Sequence, residues 1–504
     1  MTDVDRLAEL RSRLGVVHDL KRAAWLLSWD QHTMMPPDGM PARGDQLSTV
    51  DRFAHELFTA DEVGELLDSL REYEAALDPE SVDAALIRVT RRDWEKARKV
   101  PAELRGEITK AEVVGVHAWA EARKNADYDA FLPYLQRNVD LKLQYIDCFA
   151  DTAKSAYDIL LDDYQEDARS EEVDVVFSRL KEELIPLIRE VANAEQVDTS
   201  FVRGHFPVEK QEVFGREVLE RLGYTSDAWR LDPTVHPFAT SIALDDIRLT
   251  TRYSEADLES IFHTTHEFGH GIYEYRIDRE LERTPLTELT SMVLHESQSR
   301  LWENLVCRGR PFWRFFFPKL QELFPEQLGE VDAEAWWRSV NKVAPSHIRV
   351  EADEVTYGMH IILRYELEQE IIAGRRALED LPDAWSAKMK DYLGLDVPDH
   401  AKGVLQDVHW SGGSFGYFPT YLLGTIASVQ IWEAARADLT DLDAQMEAGE
   451  FGALREWLGD KLYRWGRRFP PEEMLRRVAG RTLDPEPYLA YLKGKVSDIY
   501  GVRV

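Results

Sequence analysis

Residues 262–276 read FHTTHEFGHGIYEYR, with three histidines and a glutamate inside eight positions. The reading of this stretch decides the rest of the chain. On a helix, His266 and His270 are four residues apart, so both imidazoles project from one face, one turn apart, and can share a metal ion. Glu267 stands beside them, placed to take a proton from a water that the metal has activated. The pattern is H-E-x-x-H, which composition alone produces in on the order of a few per cent of chains like this one. His263 shares the face one turn earlier and reads as a packed histidine rather than a ligand.

A metal site that does chemistry needs three protein ligands and one open position. The segment HESQSRLWEN at 295–304 offers the third. Thr284-Pro285 opens that segment, with proline at the first helical position, and Leu294, Leu301 and Leu305 follow a helical stripe. Two antiparallel helices joined by a short turn would bring Glu296 over the histidine pair. His295, Glu303 and Glu288 are rival ligands, and the residues alone put Glu296 only slightly ahead of His295. Ser254 to Asp257 supplies a capping signal for the motif helix. Just upstream, FATSIALDDIRLTTRY at 238–253 is the clearest strand signal, with Ile242, Leu244, Ile247 and Leu249 around a turn at Asp245-Asp246. It predicts a short hairpin beside the motif helix, whose edge can pair with an extended peptide.

Working outward, most of the chain has helical periodicity. Residues 3–28 carry Leu7, Leu10, Leu14, Val17, Leu20 and Ala24 on one face and break at MMPPDGMP. Similar patterns run through 104–124, 128–160, 171–195, 355–373 and 427–447. No Ser/Gly-rich linker or repeat divides the 504 residues. The expectation is a mostly α fold, one large helical domain over 1–504 with room for two lobes around a cleft. The formal charge of −31 repels nucleic acid and anionic membranes, and reads as a well-solvated surface. Cys148 and Cys307 imply no disulfide framework. MTDVDRLAEL lacks the order of a secretion signal. The uncharged run Val408–Trp432 is too rich in Gly, Ser and Pro in its first half to span lipid. A cytoplasmic enzyme or binding protein is expected.

Several separate boxes then resemble one family, the carboxypeptidase Taq family of zinc metallocarboxypeptidases. HEFGH matches its H-E-x-x-H, and HESQ at 295–298 its H-E-S-Q. DIRLT at 246–250 matches D-x-R-x-T, IRVEAD at 348–353 matches I-R-x-x-A-D, and GVLQDVHW at 403–410 matches G-x-x-Q-D-x-H-W. SWDQHTMMP at 28–36 is similar to the family's N-terminal W-D-x-x-T-x-M-P. The boxes fall in order over residues 28–410. The resemblance implies a helical fold with a deep groove, like that of angiotensin-converting enzyme and neurolysin. It also implies a homodimer that removes single residues from peptide C-termini with broad specificity. By the same carry-over His266, His270 and Glu296 bind zinc, for which cobalt is the candidate substitute, and Glu267 is the general base.

The other boxes have chemistry of their own. A carboxypeptidase must hold a terminal carboxylate, which the planar fork of arginine suits. Arg248 and Arg349 are the candidates. Glu351, Asp353 and Glu354 lie close to Arg349 in sequence, so a structural ion pair competes on equal terms. Peptide hydrolysis needs a donor for the oxyanion, and the resemblance to groove-shaped peptidases, where a tyrosine and a histidine downstream of the ligands act, implies Tyr417 as the first choice and His409 as the second. Tyr421 is assigned to substrate contact, with core packing as the rival reading. Asp407 orients a neighbour, and His236 either lines the site or is structural. Two alternatives remain: an oligopeptidase or dipeptidyl carboxypeptidase with the same chemistry, and a peptide-binding scaffold with structural zinc. The intact Glu267 and the lack of a strong fourth ligand argue against the scaffold.

Overall fold

The structure, a computed structural model, describes residues 2–288 and 290–502. It is mostly helical, and its three strands among the described residues form one small sheet. Strand β1 is Trp229–Pro233, β2 is Ala239–Ala243 and β3 is Asp246–Thr251, in the order β1-β3-β2. β2 pairs with β3 antiparallel, Ala239 opposite Leu249 and Ser241 opposite Ile247, as the hairpin pattern predicts. β1 runs parallel to β3 on its other side, with Arg230 opposite Arg248. The sequence reading did not include β1.

The motif stretch is helical over Ser260–Tyr275 and lies against this sheet, with the Phe268 ring stacked 5.6 Å from that of Trp229. The HESQ segment is helical over Met292–Arg300 and passes without a break into a π-helical turn, Leu301–Cys307. The two helices meet with no side chain between them at Gly269. A methyl group there would fall 2.4 Å from the Gln298 carbonyl oxygen and 2.6 Å from Ser299 Cα. On its other side the HESQ helix is met by Phe418–Asp438 in the same way. A methyl group on Gly424 would fall 2.8 Å from Glu296 Cβ.

Most of the apolar interior is one continuous cluster that contains the sheet, the motif helix, the HESQ helix and the helices Tyr357–Ile372 and Phe418–Asp438. A second, smaller cluster joins Leu7, Leu10 and Leu14 of the N-terminal helix to Val63, Leu66, Leu86 and Ile87, and reaches Leu244, Ile277 and Leu286. The N-terminal helix runs Asp3–Thr33 and is started by a reciprocal cap in which Thr2 and Asp5 satisfy each other's backbone N–H. No helix among the described residues is long and apolar enough to cross a membrane.

The predicted boundaries hold at 102–125, 170–192 and 357–372, and differ elsewhere for local reasons. The 128–160 pattern is two helices, Tyr128–Asp147 and Ala156–Leu161, because Ser155 and Asp158 form a new cap. The 427–447 pattern likewise divides into Phe418–Asp438 and Leu442–Glu447. Ser254 and Asp257 do not cap the motif helix. Ser254 Oγ accepts the Ala256 N–H and Asp257 accepts the Glu259 N–H, so their capping capacity is used in the turn before Ser260. Thr284 caps only a short 3₁₀ turn, Pro285–Thr287, and Ser291 opens the HESQ helix by accepting the Leu294 N–H.

The close approach at Gly269 gives a direct test. Gly269→Ala is expected to cost about 1–3 kcal/mol, because backbone rather than a flexible side chain must give way. Equilibrium urea unfolding measures it, and an unchanged midpoint would show that the two helices are free to separate.

Candidate active site

The two histidines of the motif helix and Glu296 converge. His266 and His270 meet edge to face with ring centroids 5.0 Å apart. Glu296 Oε2 stands 3.8 Å from His266 Nε2 and 3.5 Å from His270 Nε2. One ligand atom from each lies within 4.8 Å of the other two, the only such His/Cys/Asp/Glu triplet among the described residues. Two imidazole nitrogens and one carboxylate oxygen are a donor set suited to zinc and its borderline neighbours.

Each rival ligand has another partner. Glu303, on the π-helical turn, places Oε2 2.8 Å from His266 Nδ1. That contact assigns the proton to Nδ1 and leaves the Nε2 lone pair facing Glu296. Arg300 donates from Nη1 to Glu303 at 3.2 Å and from Nε to Glu296 Oε1 at 2.7 Å. Burial raises the cost of charge on Glu303, but Arg300 and His266 outweigh it and hold the carboxyl well below its ordinary range. His295 stacks on His270 with centroids 4.3 Å apart and faces Glu274 at 3.2 Å. Glu274 in turn lies 3.7 Å from Arg22 of the N-terminal helix. Glu288 is bound by Lys21 at 2.8 Å. His263 is half-buried on the motif helix, outside the triplet.

Glu267 is buried, and no group among the described residues hydrogen-bonds its carboxylate. Burial pushes its pKa up to about 7, and the nearby Glu296 and Glu303 charges add to the effect against the pull of His266. It opens into a cavity of about 430 Å³ shared with His266, His270 and Glu296. Tyr417 and Tyr421 form one wall, and Trp25 and Trp29 from the N-terminal helix form another. Phe238 and β2 from Ala239 to Ser241 complete the lining, so the sheet edge borders the cavity as the hairpin reading requires. Pro237 lines it and His236 does not.

The other boxes join behind the tyrosine wall. Arg349 donates to Asp407 Oδ1 from Nε at 3.0 Å and from Nη2 at 2.7 Å, and Arg364 donates to Oδ2 at 2.6 Å. The partner of Arg349 is therefore Asp407, 58 residues away, and not Glu351, Asp353 or Glu354. Gln406 Oε1 accepts from the Arg349 backbone at 2.9 Å and from Arg364 at 2.7 Å, locking the IRVEAD and GVLQDVHW boxes together. The Arg349 guanidinium also lies 5.0 Å from the Tyr421 ring centroid. Tyr421 places its hydroxyl 3.2 Å from His409 Nε2. Burial, aided by Arg349 and Arg364 and opposed by Asp407, lowers His409 to about 3, so its ring is neutral at physiological pH. Arg248 is apart from this group. It is forked onto Asp246 at 2.8 and 2.9 Å and stacked over Trp29 at 4.4 Å, with Arg230 over the same ring at 4.6 Å. Neither Arg248 nor Arg349 lines the cavity itself.

Sequence reasoning did not reach Trp25, Glu274, Arg364, Glu368 or Tyr164. Glu274 stood inside the opening stretch, but its partners His295 and Arg22 lie far away in sequence, as Asp407 does from Arg364 and Trp410 from Glu368.

A helical fold that sets H-E-x-x-H beside a carboxylate ligand candidate on the floor of a cavity is that of a metallopeptidase. The chain belongs to the carboxypeptidase Taq (M32) metallopeptidase family, whose model matches residues 9–496, and is thus a metallocarboxypeptidase, a hydrolase. It is 40% identical to thermostable carboxypeptidase 1 of Thermus thermophilus, over 94% of this chain and 95% of that protein. It is 38% identical to carboxypeptidase 1 of Bacillus subtilis, over 95% of each. The crystal structure of an M32 carboxypeptidase from Deinococcus radiodurans superposes with a TM-score of 0.95 at 39% identity, covering 99% of this chain and all of that one.

Asp407 carries the next expectation. Burial opposes its ionisation, but Arg349 and Arg364 prevail and hold it well below the ordinary carboxylate range. Its contribution to stability is therefore complete above the unfolded pKa and is lost only as pH falls through the depressed folded value. Asp407→Ala leaves two buried guanidiniums without their acceptor and is expected to cost about 3–5 kcal/mol. Urea unfolding at neutral pH checks this, and a loss under 1 kcal/mol would show that the arginines find other partners.

Proposed function

We propose that the chain is a zinc-dependent carboxypeptidase that releases single residues from the C-termini of peptides with broad specificity. The observation that carries this reading is the His266–His270–Glu296 triplet with the unpaired Glu267 carboxylate opening into the same cavity. In this proposal those three residues hold the metal. Zinc bound there supplies Lewis acidity, polarising the scissile carbonyl and lowering the pKa of the attacking water. Glu267 accepts that water's proton on its carboxylate and delivers it to the leaving amine. Tyr417 donates to the developing oxyanion, with neutral His409 behind it through the Tyr421 hydroxyl.

Arg349 is one candidate reader of the terminal carboxylate: it packs on Tyr421 in the cavity wall, although Asp407 and Tyr357 already take its nitrogens. Arg248, stacked on the lining residue Trp29, is the alternative. Tyr421 would then contact substrate directly. β2 offers its free edge to the extended peptide. The reading also takes the chain as one peptidase domain over 1–504, working as a cytoplasmic homodimer, with cobalt able to replace zinc. Of these, the homodimer rests on the family resemblance, and the single domain rests on the absence of any Ser/Gly-rich linker or repeat in the sequence.

Four measurements test the proposal. Chelation is expected to abolish activity and zinc or cobalt to restore it; indifference to chelation would remove the metal from the reaction. Glu267→Gln is expected to retain metal by elemental analysis while kcat falls about 10²–10⁴-fold. Glu303→Ala, which frees the His266 ring, is expected to weaken metal binding about 10–100-fold in a chelator competition. A mass-spectrometric time course on one defined peptide separates the readings. Loss of one residue at a time is expected, and dipeptide or internal products would favour the oligopeptidase alternative.

A further inference from the structure

Within the uncharged run, the strap Trp410–Gly416, which separates His409 from Tyr417, is held at both ends by a single buried carboxylate. Glu368, on the helix Tyr357–Ile372, has no solvent exposure. Its Oε1 accepts from Trp410 Nε1 at 2.7 Å, and its Oε2 from the Gly416 N–H at 2.9 Å and the Tyr157 hydroxyl at 2.6 Å. Trp410 follows His409 in sequence, and Gly416 precedes Tyr417. We propose that Glu368 is the positioning residue that sets Tyr417 and His409 against the His266–His270–Glu296 centre. The proposal rests on the roles given to those two residues above.

Three features favour positioning over a merely structural role. The first is the acceptor itself. A carboxylate brings two acceptor oxygens and no donor, so it can close both ends of a strap and take a third bond, which neutral glutamine cannot reproduce at every contact. Its burial is costly and pushes its pKa up to about 7 against the pull of its three donors, two from the strap and one from the helix Ala156–Leu161; no lysine or arginine hydrogen-bonds it among the described residues.

The second is the strap's confinement at Gly416. Its φ is +83°, and a methyl group there would fall 2.7 Å from the Leu160 carbonyl carbon. The strap end is thus pressed onto the short helix Ala156–Leu161, which also supplies Tyr157.

The third is the geometric reference that Tyr417 shares with the metal-binding candidates. Its ring stands edge-on to Tyr164, with centroids 4.9 Å apart. The Tyr164 carbonyl accepts the N–H of Met292, the first residue of the HESQ helix, at 2.9 Å. The strap and the helix that carries Glu296 are therefore positioned from the same residue. Trp410 and Ser411 are fixed from below, where Asn138 donates to their carbonyls at 3.0 and 2.8 Å. The Glu296 carboxylate is itself held by Arg300 and Ser299, so a shift of the strap would change the placement of His409 and Tyr417 against it.

The test is a double-mutant cycle on peptide hydrolysis by the metal-loaded enzyme, with metal content measured in every variant. Glu368→Gln is expected to lower kcat about 10–100-fold through misplacement of the donors, with KM and metal content nearly unchanged. In a Tyr417→Phe background the same substitution is expected to change kcat less than twofold. Equal losses in both backgrounds would overturn the positioning role, as would a lowered Tm with unchanged kcat well below that Tm. A fully active Tyr417→Phe would instead remove the oxyanion reading on which the proposal depends, which is a distinguishable failure. If Glu368→Gln does not fold, Trp410→Phe, which deletes only one of the three donors, carries the same cycle with the same two outcomes.

Discussion

At residue 269 the motif helix and the HESQ helix are separated by no side chain at all, and at residue 424 a third helix reaches the Glu296 side chain in the same way. Glu296 is consequently held between two helices, the motif helix spaced by backbone contact at Gly269 and the other packed through Gly424 onto the Glu296 Cβ and Cγ themselves. Backbone contact is stiff. A ligand distance defined by two flexible side chains can drift by an ångström at little cost, whereas here drift requires whole helices to part. The convergence of His266, His270 and Glu296 depends on this spacing, and so does the cavity above them.

Buried charge does the second part of the organising. One set runs from His266 through Glu303 to Arg300 and back to Glu296. The other runs from Arg349 through Asp407 to Arg364. Each takes ionised groups out of water, which is costly, and offsets that cost with bidentate or shared hydrogen bonds. Such sets are poor sources of net stability but strict about geometry, since a displaced member leaves an uncompensated charge. They join segments remote in sequence: residues 266, 296 and 303 in one case, and 349, 364 and 407 in the other.

How much of this was legible in the sequence follows from the range of the interactions. Local periodicity identified several of the long helices, though not Met40–Phe58 or Val82–Lys99, and the β2–β3 hairpin, because both signals are contained in a few consecutive residues. β1 was missed since WRLDP is short, ends in proline and pairs in parallel with a strand that follows β2. The capping signals at Ser254 and Thr284 were real hydrogen-bonding capacities, but nearby turns consumed them. Glu296 and His295 could not be separated from residues alone. Their difference lies in which one faces the motif histidines and which stacks on one of them. Glu303 was legible only as a rival ligand, and Glu368 not at all, as an isolated glutamate on an apolar helix looks the same whether its partner is a surface lysine or a buried indole.

The N-terminal helix belongs, by its apolar residues Leu7 to Leu14, to the smaller of the two interior clusters. Farther along, at Trp25 and Trp29, it forms part of the cavity wall, where its contacts are ionic and aromatic. The floor of the cavity belongs to the larger cluster. The pocket therefore draws on both apolar clusters: its floor comes from the larger one, and one wall comes from a helix whose first turns belong to the smaller. Arg22, which donates to the Ser241 and Thr287 carbonyls, fastens that wall to the sheet and to the segment before the HESQ helix.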